Sequence, residues 1–274
     1  MDCECIISGL KFPEGPVFDF NGNLWFVEIE GGNLSRWDGE KLVRIDVDGN
    51  PNGAMLDRNG NIWFCDSGRG EIRIFNPITE MFQTICNSST SGNRLKRPND
   101  LIFDSKGNLL FSDHADGRTE PLSTIYVLPK GENIARVVSS KKFFTNGLAL
   151  KSDAETLIFS ETYKQRLWTG KWDNNKLELI GEKLFTEAGG GPWGPDGIAL
   201  DKEENLYVAI FNESKINIYN KKGVLSGYLN CPGSRPTSCA FDPSGKLGLV
   251  VTEAEKGQVI SYPAFKEGLP IYYG

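Results

Sequence analysis

Residues 97–113 read RPNDLIFDSKGNLLFSD, in which two short apolar runs are joined by a Lys-Gly-Asn turn. A proline and two polar residues precede the first run, and the second run ends on an aspartate. Short apolar runs separated by a glycine-containing turn are typical of a β-hairpin. The stretch therefore predicts two neighbouring antiparallel strands.

The chain contains six copies of this pattern, spaced 38 to 50 residues apart. Their first residues are Pro13, Pro51, Pro98, Thr145, Pro195 and Pro236. Two more strand-like runs follow each hairpin, for example residues 71–75 in the second copy and 215–219 in the fifth. A repeat of about this length is typical of the blades of a propeller. The sequence thus predicts an all-β, six-bladed β-propeller of four-stranded antiparallel blades around a central channel.

The two ends of the chain fit the same architecture. Residues 5–8 form a short apolar run before the first copy, and residues 259–262 form one after the last copy. Together they would complete one blade and cover its exposed edge. We therefore expect residues 1–274 to form a single six-bladed propeller domain.

Composition excludes several kinds of partner. The formal net charge is −6 and no run of lysine or arginine exceeds two residues, which argues against nucleic acid. No stretch approaches the ~18 apolar residues of a membrane helix, and the N-terminus lacks a basic region followed by an apolar one. We expect a cytoplasmic protein without membrane contact, a monomer or weak homo-oligomer, whose six cysteines stay reduced.

The second position of each copy carries a polar residue whose identity varies among the copies. The first strand of a propeller blade lines the channel, so these six positions would form a ring around the axis. Asn, Asp and Thr are also ordinary turn residues, but glutamate is not a favoured one, and six polar residues in register favour the ring. The ring consists of Glu14, Asn52, Asn99, Asn146, Asp196 and Thr237.

A ring of this composition indicates a metal ion. Two carboxylates on a narrow axis repel each other and take up a proton unless a cation lies between them. Carboxylate and amide oxygens suit a hard divalent ion, so Ca²⁺ is expected, with Mg²⁺ and Mn²⁺ as alternatives. Zn²⁺ is a weaker alternative, because the ring contains no histidine or cysteine.

Four motifs carry a resemblance that covers essentially the whole chain. They are Pro13-Glu14-Gly15-Pro16, Arg97-Pro98-Asn99-Asp100, Asn146-Gly147-Leu148-Ala149 and Gly194-Pro195-Asp196-Gly197. In this order they resemble the gluconolactonase and regucalcin (senescence marker protein) family, which is similar to diisopropyl-fluorophosphatase. The resemblance implies a six-bladed, calcium-dependent hydrolase of lactones, and sometimes of aryl or phosphate esters.

The resemblance also implies roles for single residues. Glu14, Asn146 and Asp196 would be metal ligands, Asn99 a ligand or a substrate contact, and Arg97 a contact to the substrate. Two positions depart from the pattern. The motif with Asn99 continues with Leu101 where regucalcin-like proteins have glycine, which argues against a preference for sugar lactones. Ala199 replaces an acid of the fluorophosphatase pattern, which indicates that the second, structural calcium of that branch is absent.

Asp196 is the first candidate for catalysis, either as a general base or as a nucleophile. Asn52, Arg97, Asn99 and Trp193 are the candidates for substrate binding. Trp193 follows a run of glycines, which indicates either a lid over an apolar substrate or a tight connection.

The function expected is metal-dependent opening of a lactone through a polarised carbonyl and an activated water. The alternatives are a phosphotriesterase or aryl esterase on the same metal, and a calcium-binding scaffold without activity. The partner expected is a small-molecule lactone or ester.

Two further features permit both a functional and a structural interpretation. Most of the second strands end on an acid, which could lie around the metal, form a negative rim, or be a solvated strand end. His114, the single histidine, follows one of these acids. It is either a proton shuttle or a packed residue.

Overall fold

The structure, a computed structural model, describes residues 2–191, 193–263 and 265–274. These residues form 24 strands and a single 3-10 turn, and the strands assemble into six four-stranded antiparallel sheets. In the described residues no helix has the length and apolar character needed to cross a bilayer.

Strand β1 (Glu4–Ser8) comes first, and the next twelve strands form blades 1 to 3. They are β2 (Pro13–Phe18), β3 (Leu24–Glu28), β4 (Asn33–Trp37) and β5 (Leu42–Asp46); β6 (Pro51–Leu56), β7 (Ile62–Asp66), β8 (Glu71–Asn76) and β9 (Met81–Cys86); and β10 (Pro98–Phe103), β11 (Leu109–Asp113), β12 (Ser123–Leu128) and β13 (Arg136–Lys142).

The remaining strands form blades 4 to 6, and the 3-10 turn (Thr162–Lys164) follows the second strand of blade 4. They are β14 (Thr145–Leu150), β15 (Thr156–Glu161), β16 (Arg166–Asp173) and β17 (Glu178–Glu187); β18 (Pro195–Leu200), β19 (Leu206–Ile210), β20 (Lys215–Tyr219) and β21 (Leu225–Asn230); and β22 (Pro236–Phe241), β23 (Leu249–Glu253) and β24 (Gln258–Tyr262).

The six sheets are the blades of a propeller. The first strand of each repeat packs against the first strands of the preceding and following repeats, so the six inner strands close around a channel. In blade 6 the outermost strand is β1, which pairs with β24 in the register Glu4↔Ser261 and Cys5↔Ile260. The fold predicted from the repeat is confirmed, and so is the pairing of the two chain ends in one blade.

A repeated aspartate holds the turn between the first two strands. In blade 2, Asp57 accepts hydrogen bonds from the backbone N–H groups of Asn59 and Asn61, at 2.8 and 2.9 Å. Its second carboxylate oxygen accepts from the Asn61 amide and from the Trp63 indole, at 2.8 and 2.9 Å. Asp19 makes the same contacts to Asn23 and Trp25 in blade 1. This side-chain support explains why the turn and the following aromatic residue recur together in the sequence.

A β-bulge interrupts every inner hairpin directly after its first residues. In blade 3, Pro98 pairs with Asp113 and Leu101 pairs with Phe111, so two residues oppose one. An extra residue reorients the side chains around it. As a result Asn99 and Asp100 both lie against neighbouring inner strands: an added Cβ on Gly53 would come within 2.7 Å of the Asn99 carbonyl oxygen and 2.8 Å of an Asp100 carboxylate oxygen.

The apolar core lies between the blades. Large rings from successive blades meet there, for example Trp25 of blade 1 with Phe75 of blade 2, at 6.0 Å between centroids. Phe64 and Phe111 are completely buried, and burial of such a side chain stabilises a fold by roughly 1.5–3 kcal/mol. The inter-blade core fixes the inner strands and thereby the residues that face the channel.

Candidate active site

The structure places all six ring residues at the beginning of the inner strands, at one end of the channel. Five are exposed by only 5 to 8% and the sixth is fully buried. The inner strands of neighbouring blades are in contact. The Asn146 side chain hydrogen-bonds to Asp196, and the charge of Asp196 acts on Glu14. The residues that the sequence predicted to form a ring are therefore brought together.

Thr237 differs from the other members of this ring. Its hydroxyl lies 2.8 Å from the Pro13 carbonyl oxygen and 2.8 Å from the Thr252 hydroxyl, so it links blade 6 to blade 1. A hydroxyl held in this way is engaged within the protein. Asn52 donates its amide N–H to the Ser67 hydroxyl at 3.4 Å. The amide oxygen of Asn52 remains a candidate ligand, together with Glu14, Asn99, Asn146 and Asp196.

The two ring carboxylates are poorly solvated and repel each other. Burial, followed by the charges of Asp196 and Asp100, raises the pKa of Glu14 well above its usual range. Burial and the charge of Asp100 likewise raise the pKa of Asp196, and a hydrogen bond from the Asn146 side chain partly offsets the rise. A cation at this point would compensate the repulsion.

An amide oxygen at the same level lacks a partner. The buried Oδ1 of Asn99 makes no hydrogen bond with any described residue. An unpaired buried acceptor costs about 1–3 kcal/mol, and a metal ion is one group that satisfies it. The donor set of two carboxylates and neighbouring amides suits a hard divalent cation.

Amide oxygens are essential to this fit. Within residues 2–191, 193–263 and 265–274, no group of three or more His, Cys, Asp or Glu side chains is arranged to hold a metal ion. A cation at the ring would therefore be held by Glu14 and Asp196 together with Asn99 and Asn146.

Asp100 belongs to the site although the sequence interpretation did not select it. Burial raises its pKa to about 6, and the Leu148 N–H donates to its carboxylate at 2.8 Å. The third position of the repeat is glycine in four copies, and in Gly147 an added Cβ would lie 2.6 Å from the Asp196 carbonyl oxygen. Because the channel is this narrow, an aspartate at the third position was a signal that the sequence contained.

A cavity of about 330 Å³ lies beyond Asp100, at the other end of the channel. Mostly apolar side chains of the inner strands line it, Ala199 among them, and residues 267–273 cross it from outside. This segment is fixed by hydrogen bonds from Leu269 N–H to the Leu200 carbonyl and from Lys202 N–H to the Glu267 carbonyl. The ring end of the channel has no such cover from the C-terminal segment.

The acids at the ends of the second strands accept hydrogen bonds from backbone N–H groups and do not form a negative rim. Asp113 accepts hydrogen bonds from the N–H groups of Lys96, Arg97 and Ala115, at 2.8 to 3.0 Å. Glu28, Asp66, Glu161 and Glu253 accept backbone N–H groups from the equivalent loops of their own blades. All five are buried, so they fix the loops that lead into the inner strands.

Arg97 and His114 lie side by side at the mouth of the ring, because the His114 N–H donates to the Arg97 carbonyl. The Arg97 residue is exposed. His114 is buried and stacks on Phe144 with 4.0 Å between ring centroids. Burial lowers the pKa of His114 to about 4, so its imidazole is neutral at pH 7. The Nδ1 atom of the imidazole accepts a hydrogen bond from the Asp116 N–H. This environment favours the packed interpretation of His114.

Trp193 lies on the same side, between Tyr163 and Phe211, with centroid distances of 5.2 and 5.6 Å. The glycines before it are closely packed: an added Cβ on Gly190 would lie 2.6 Å from an Ile210 methyl group. The loop is thus a tight connection that presents an aromatic side chain. Pro192, part of the same predicted loop, lies outside the described residues.

Comparison with known proteins gives a consistent set of relatives. The family described as "SMP-30/Gluconolactonase/LRE-like region" matches residues 12–255. A protein named lactonase drp35 from Staphylococcus haemolyticus is 27% identical in an alignment of 299 positions, which covers 97% of this chain and 87% of that protein. The protein of the same name from Staphylococcus epidermidis is 30% identical over 139 residues, which cover 49% of this chain and 42% of that protein.

Two solved structures share the fold. A gluconolactonase from Xanthomonas campestris superimposes with a TM-score of 0.84 at 21% identity, over 95% of this chain and 88% of that one. A calcium-binding protein, regucalcin, from Agrobacterium tumefaciens gives a TM-score of 0.85 at 17% identity, over 98% of this chain and 96% of that one.

Proposed function

The chain belongs to the SMP-30/gluconolactonase/LRE-like family, and we propose that it is a metal-dependent hydrolase that opens a lactone. The observation that carries the proposal is the pair of buried, mutually repelling carboxylates beside the unpartnered Asn99 oxygen. The lactonase names of its relatives support the same reaction class.

Glu14, Asn99, Asn146 and Asp196 would hold the cation, for which we propose Ca²⁺, with Mg²⁺ or Mn²⁺ as alternatives. When bound, a divalent cation polarises a carbonyl and lowers the pKa of water. The regucalcin structure, described as a calcium-binding protein, supports the choice of Ca²⁺.

Asp196 is proposed as the catalytic residue. As a general base it accepts a proton from the water whose oxygen attacks the lactone carbonyl carbon. The ring C–O bond then breaks, and the leaving oxygen takes the proton back from the Asp196 carboxyl. In the alternative, the Asp196 carboxylate attacks the carbonyl carbon, the ring C–O bond breaks and the leaving oxygen takes a proton from water. The hydroxide left by that water then hydrolyses the mixed anhydride, which releases the hydroxy acid and regenerates Asp196.

Substrate contacts are proposed for the side chains above the ring. Arg97 is exposed at the mouth and would donate hydrogen bonds to oxygen atoms of the substrate. Asn52 and Asn99, near the start of their inner strands, would contact the substrate in the channel, and Trp193 would offer it an apolar surface.

The test measures hydrolysis of an aldonolactone, an apolar γ-lactone, an aryl ester and a fluorophosphate. Protein stripped with EDTA is compared with protein resupplied with Ca²⁺, Mg²⁺ or Mn²⁺, and calorimetry records cation binding separately. Metal-dependent opening of a lactone is the expected result. Binding of Ca²⁺ without turnover of any compound would instead indicate a calcium-binding scaffold.

Asp196→Asn and Glu14→Gln are expected to lower kcat/KM at least 1,000-fold, roughly the loss produced by removing an essential charged group. Both variants should lose Ca²⁺ binding and keep the circular dichroism spectrum, because the blade cores are untouched. Glu178→Gln, on the exposed outer strand of blade 4, is the matched control. Full turnover in either ring variant would show that the substituted residue is not part of the active site.

A further inference from the structure

Six aromatic side chains form a continuous arc on one side of the ring. Consecutive members lie between 4.0 and 6.2 Å apart, measured between ring centroids. Each one comes within three residues of the start of an inner strand or the end of a second strand, at the end of the channel where the ring lies. The arc consists of His114, Phe144, Tyr163, Trp193, Phe211 and Phe12.

Arg118 lies over the middle of this aromatic arc. Its guanidinium carbon is 5.7 Å from the Phe144 centroid, 5.8 Å from Tyr163 and 5.5 Å from Trp193. Three aromatic faces attract the cation and restrict its position. The N–H donors of a guanidinium lie at its edge. Nε is directed at Asp116 and a side-chain hydrogen bond joins Arg118 to Tyr163, so the remaining donors are available.

The charge of Arg118 is only weakly compensated. Its one ion pair among the described residues is to Asp116 at 3.3 Å, and both side chains are about half exposed. Exposed ion pairs of this kind contribute little free energy, because water screens the attraction between the two charges. Arg97 adds a second exposed cation next to His114, in a protein whose overall charge is −6.

We propose, resting on the proposed function, that the aromatic arc and Arg118 select a lactone that carries an anionic group on a flat apolar body. The flat body packs against Trp193 and its neighbours, and the anion accepts hydrogen bonds from the Arg118 guanidinium. A neutral, polyhydroxylated sugar lactone has neither the anionic group nor the flat apolar body. Arg118 is a specificity residue, since it binds a part of the substrate remote from the reacting carbonyl.

The experiment compares γ-phenyl-γ-butyrolactone with the same lactone bearing a para-carboxylate on its phenyl ring. The wild-type protein should prefer the carboxylate compound about 10- to 100-fold in kcat/KM, the range for a hydrogen bond to a charged group. Arg118→Met should abolish this preference, and added salt should weaken it. Arg136→Met, on the outer strand of blade 3, is the matched control and should leave the preference intact.

Trp193→Ala should raise KM for both phenyl compounds more than for γ-butyrolactone. In Trp193→Phe, KM for the phenyl compounds should return most of the way to the wild-type value. Equal kcat/KM for the two phenyl lactones, or a preference that survives in Arg118→Met, would overturn the inference. Turnover of γ-butyrolactone would in that case leave the proposed function standing.

Lactam analogues separate the inference from the reaction, because they bind without being opened under the assay conditions. Calorimetry should show tighter binding of the carboxylate-bearing lactam, dependent on Arg118. Such binding without hydrolysis of any lactone would support the anion site and contradict the proposed function. Equal binding of the charged and neutral lactams would contradict the anion site.

Discussion

Asp100 adds a third carboxylate close to the two in the ring, and its charge should strengthen cation binding. We expect Asp100→Asn to weaken Ca²⁺ binding at least tenfold at pH 8. Charges a few ångströms apart interact by several kcal/mol at an effective dielectric constant of ~20, and a loss of about 1.4 kcal/mol is already a tenfold change. The asparagine oxygen still accepts from the Leu148 N–H, so the fold should persist. Calorimetric titration with Ca²⁺ measures the change, and unaltered affinity would show that the charge does not reach the ring.

His114 should make stability depend on pH. Its pKa falls from 6.5 to about 4 on folding, so between these values the unfolded chain binds a proton that the folded protein does not bind. Stability therefore decreases as the pH falls through this window, by about 2 kcal/mol between pH 7 and pH 5.

The comparison with His114→Gln isolates this effect. The difference between variant and wild type cancels other titrating groups, including Asp100, whose pKa of about 6 acts in the opposite direction. Urea unfolding at pH 5 and pH 7 should show a smaller pH dependence in the variant. The same slope in both proteins would mean that His114 is accessible to protons when folded.

At the level of single residues, the repeat was sufficient to predict the ring but not the geometry within it. Comparing the copies identified Glu14 and Asp196 as the charged members. The bulge that turns Asp100 toward the neighbouring inner strands leaves no mark in the residue pattern, since it depends on the register between two strands. The engagement of Thr237 with the Pro13 carbonyl joins residues from opposite ends of the chain, which local sequence cannot reveal.

At the level of secondary-structure elements, the strand-end acids determine how each loop enters the channel. We expect Asp113→Ala to destabilise the protein by about 2–4 kcal/mol, because three N–H groups lose their acceptor. Asp113→Asn should destabilise the protein less, because one of the two acceptor oxygens remains. Thermal unfolding measures both variants, with the exposed Asp2→Ala as control.

A wild-type melting temperature in Asp113→Ala would contradict this structural role. KM should also rise in this variant, because the backbone of Arg97 is one of the groups that Asp113 holds. The position of the acids could be predicted from the repeat. Their partners could not, because these are backbone groups about 16 to 18 residues earlier in the chain.

At the level of the whole molecule, strand β1 closes the propeller. Deleting residues 2–8 should uncover the edge of β24 and lower the melting temperature, with self-association detectable by light scattering. Ile7→Ala tests the same contact more gently, because Ile7 is buried whereas its neighbour Ile6 is only partly buried. Ile6→Ala is the control. A truncated protein that stays monomeric and melts at the wild-type temperature would show that closure is dispensable.

Cation binding should also stabilise the molecule as a whole. The proposed ligands come from blades 1, 3, 4 and 5, so one ion would connect four blades. Ca²⁺ at 100 times its Kd should add about 2.7 kcal/mol to the free energy of unfolding. Asp196→Asn should show no such gain, and in EDTA it should be at least as stable as wild type because a buried repulsion is removed. Equal stabilisation of both proteins by Ca²⁺ would place the ion elsewhere.

The propeller was predictable because six copies could be compared with one another. The segment that crosses the far end of the channel, residues 267–273, was not, because it follows the last copy and has no counterpart in the repeat. Its place depends on backbone hydrogen bonds to blade 5 and on the packing of Tyr273 against Phe20 of blade 1.

The turn aspartate, the strand-end acid and the bulge have the same role in most or all blades. The residue at the second position of the repeat, by contrast, is one of four types: Glu, Asn, Asp or Thr. Scaffold and chemistry are thus encoded by different positions of one repeat. At every second position except Thr237, which links blades 6 and 1, a change alters the charge and ligand set at the centre without removing a blade contact of this kind. Such a molecule offers five sites of variation around one point, which makes it a favourable starting material for the evolution or design of new hydrolases.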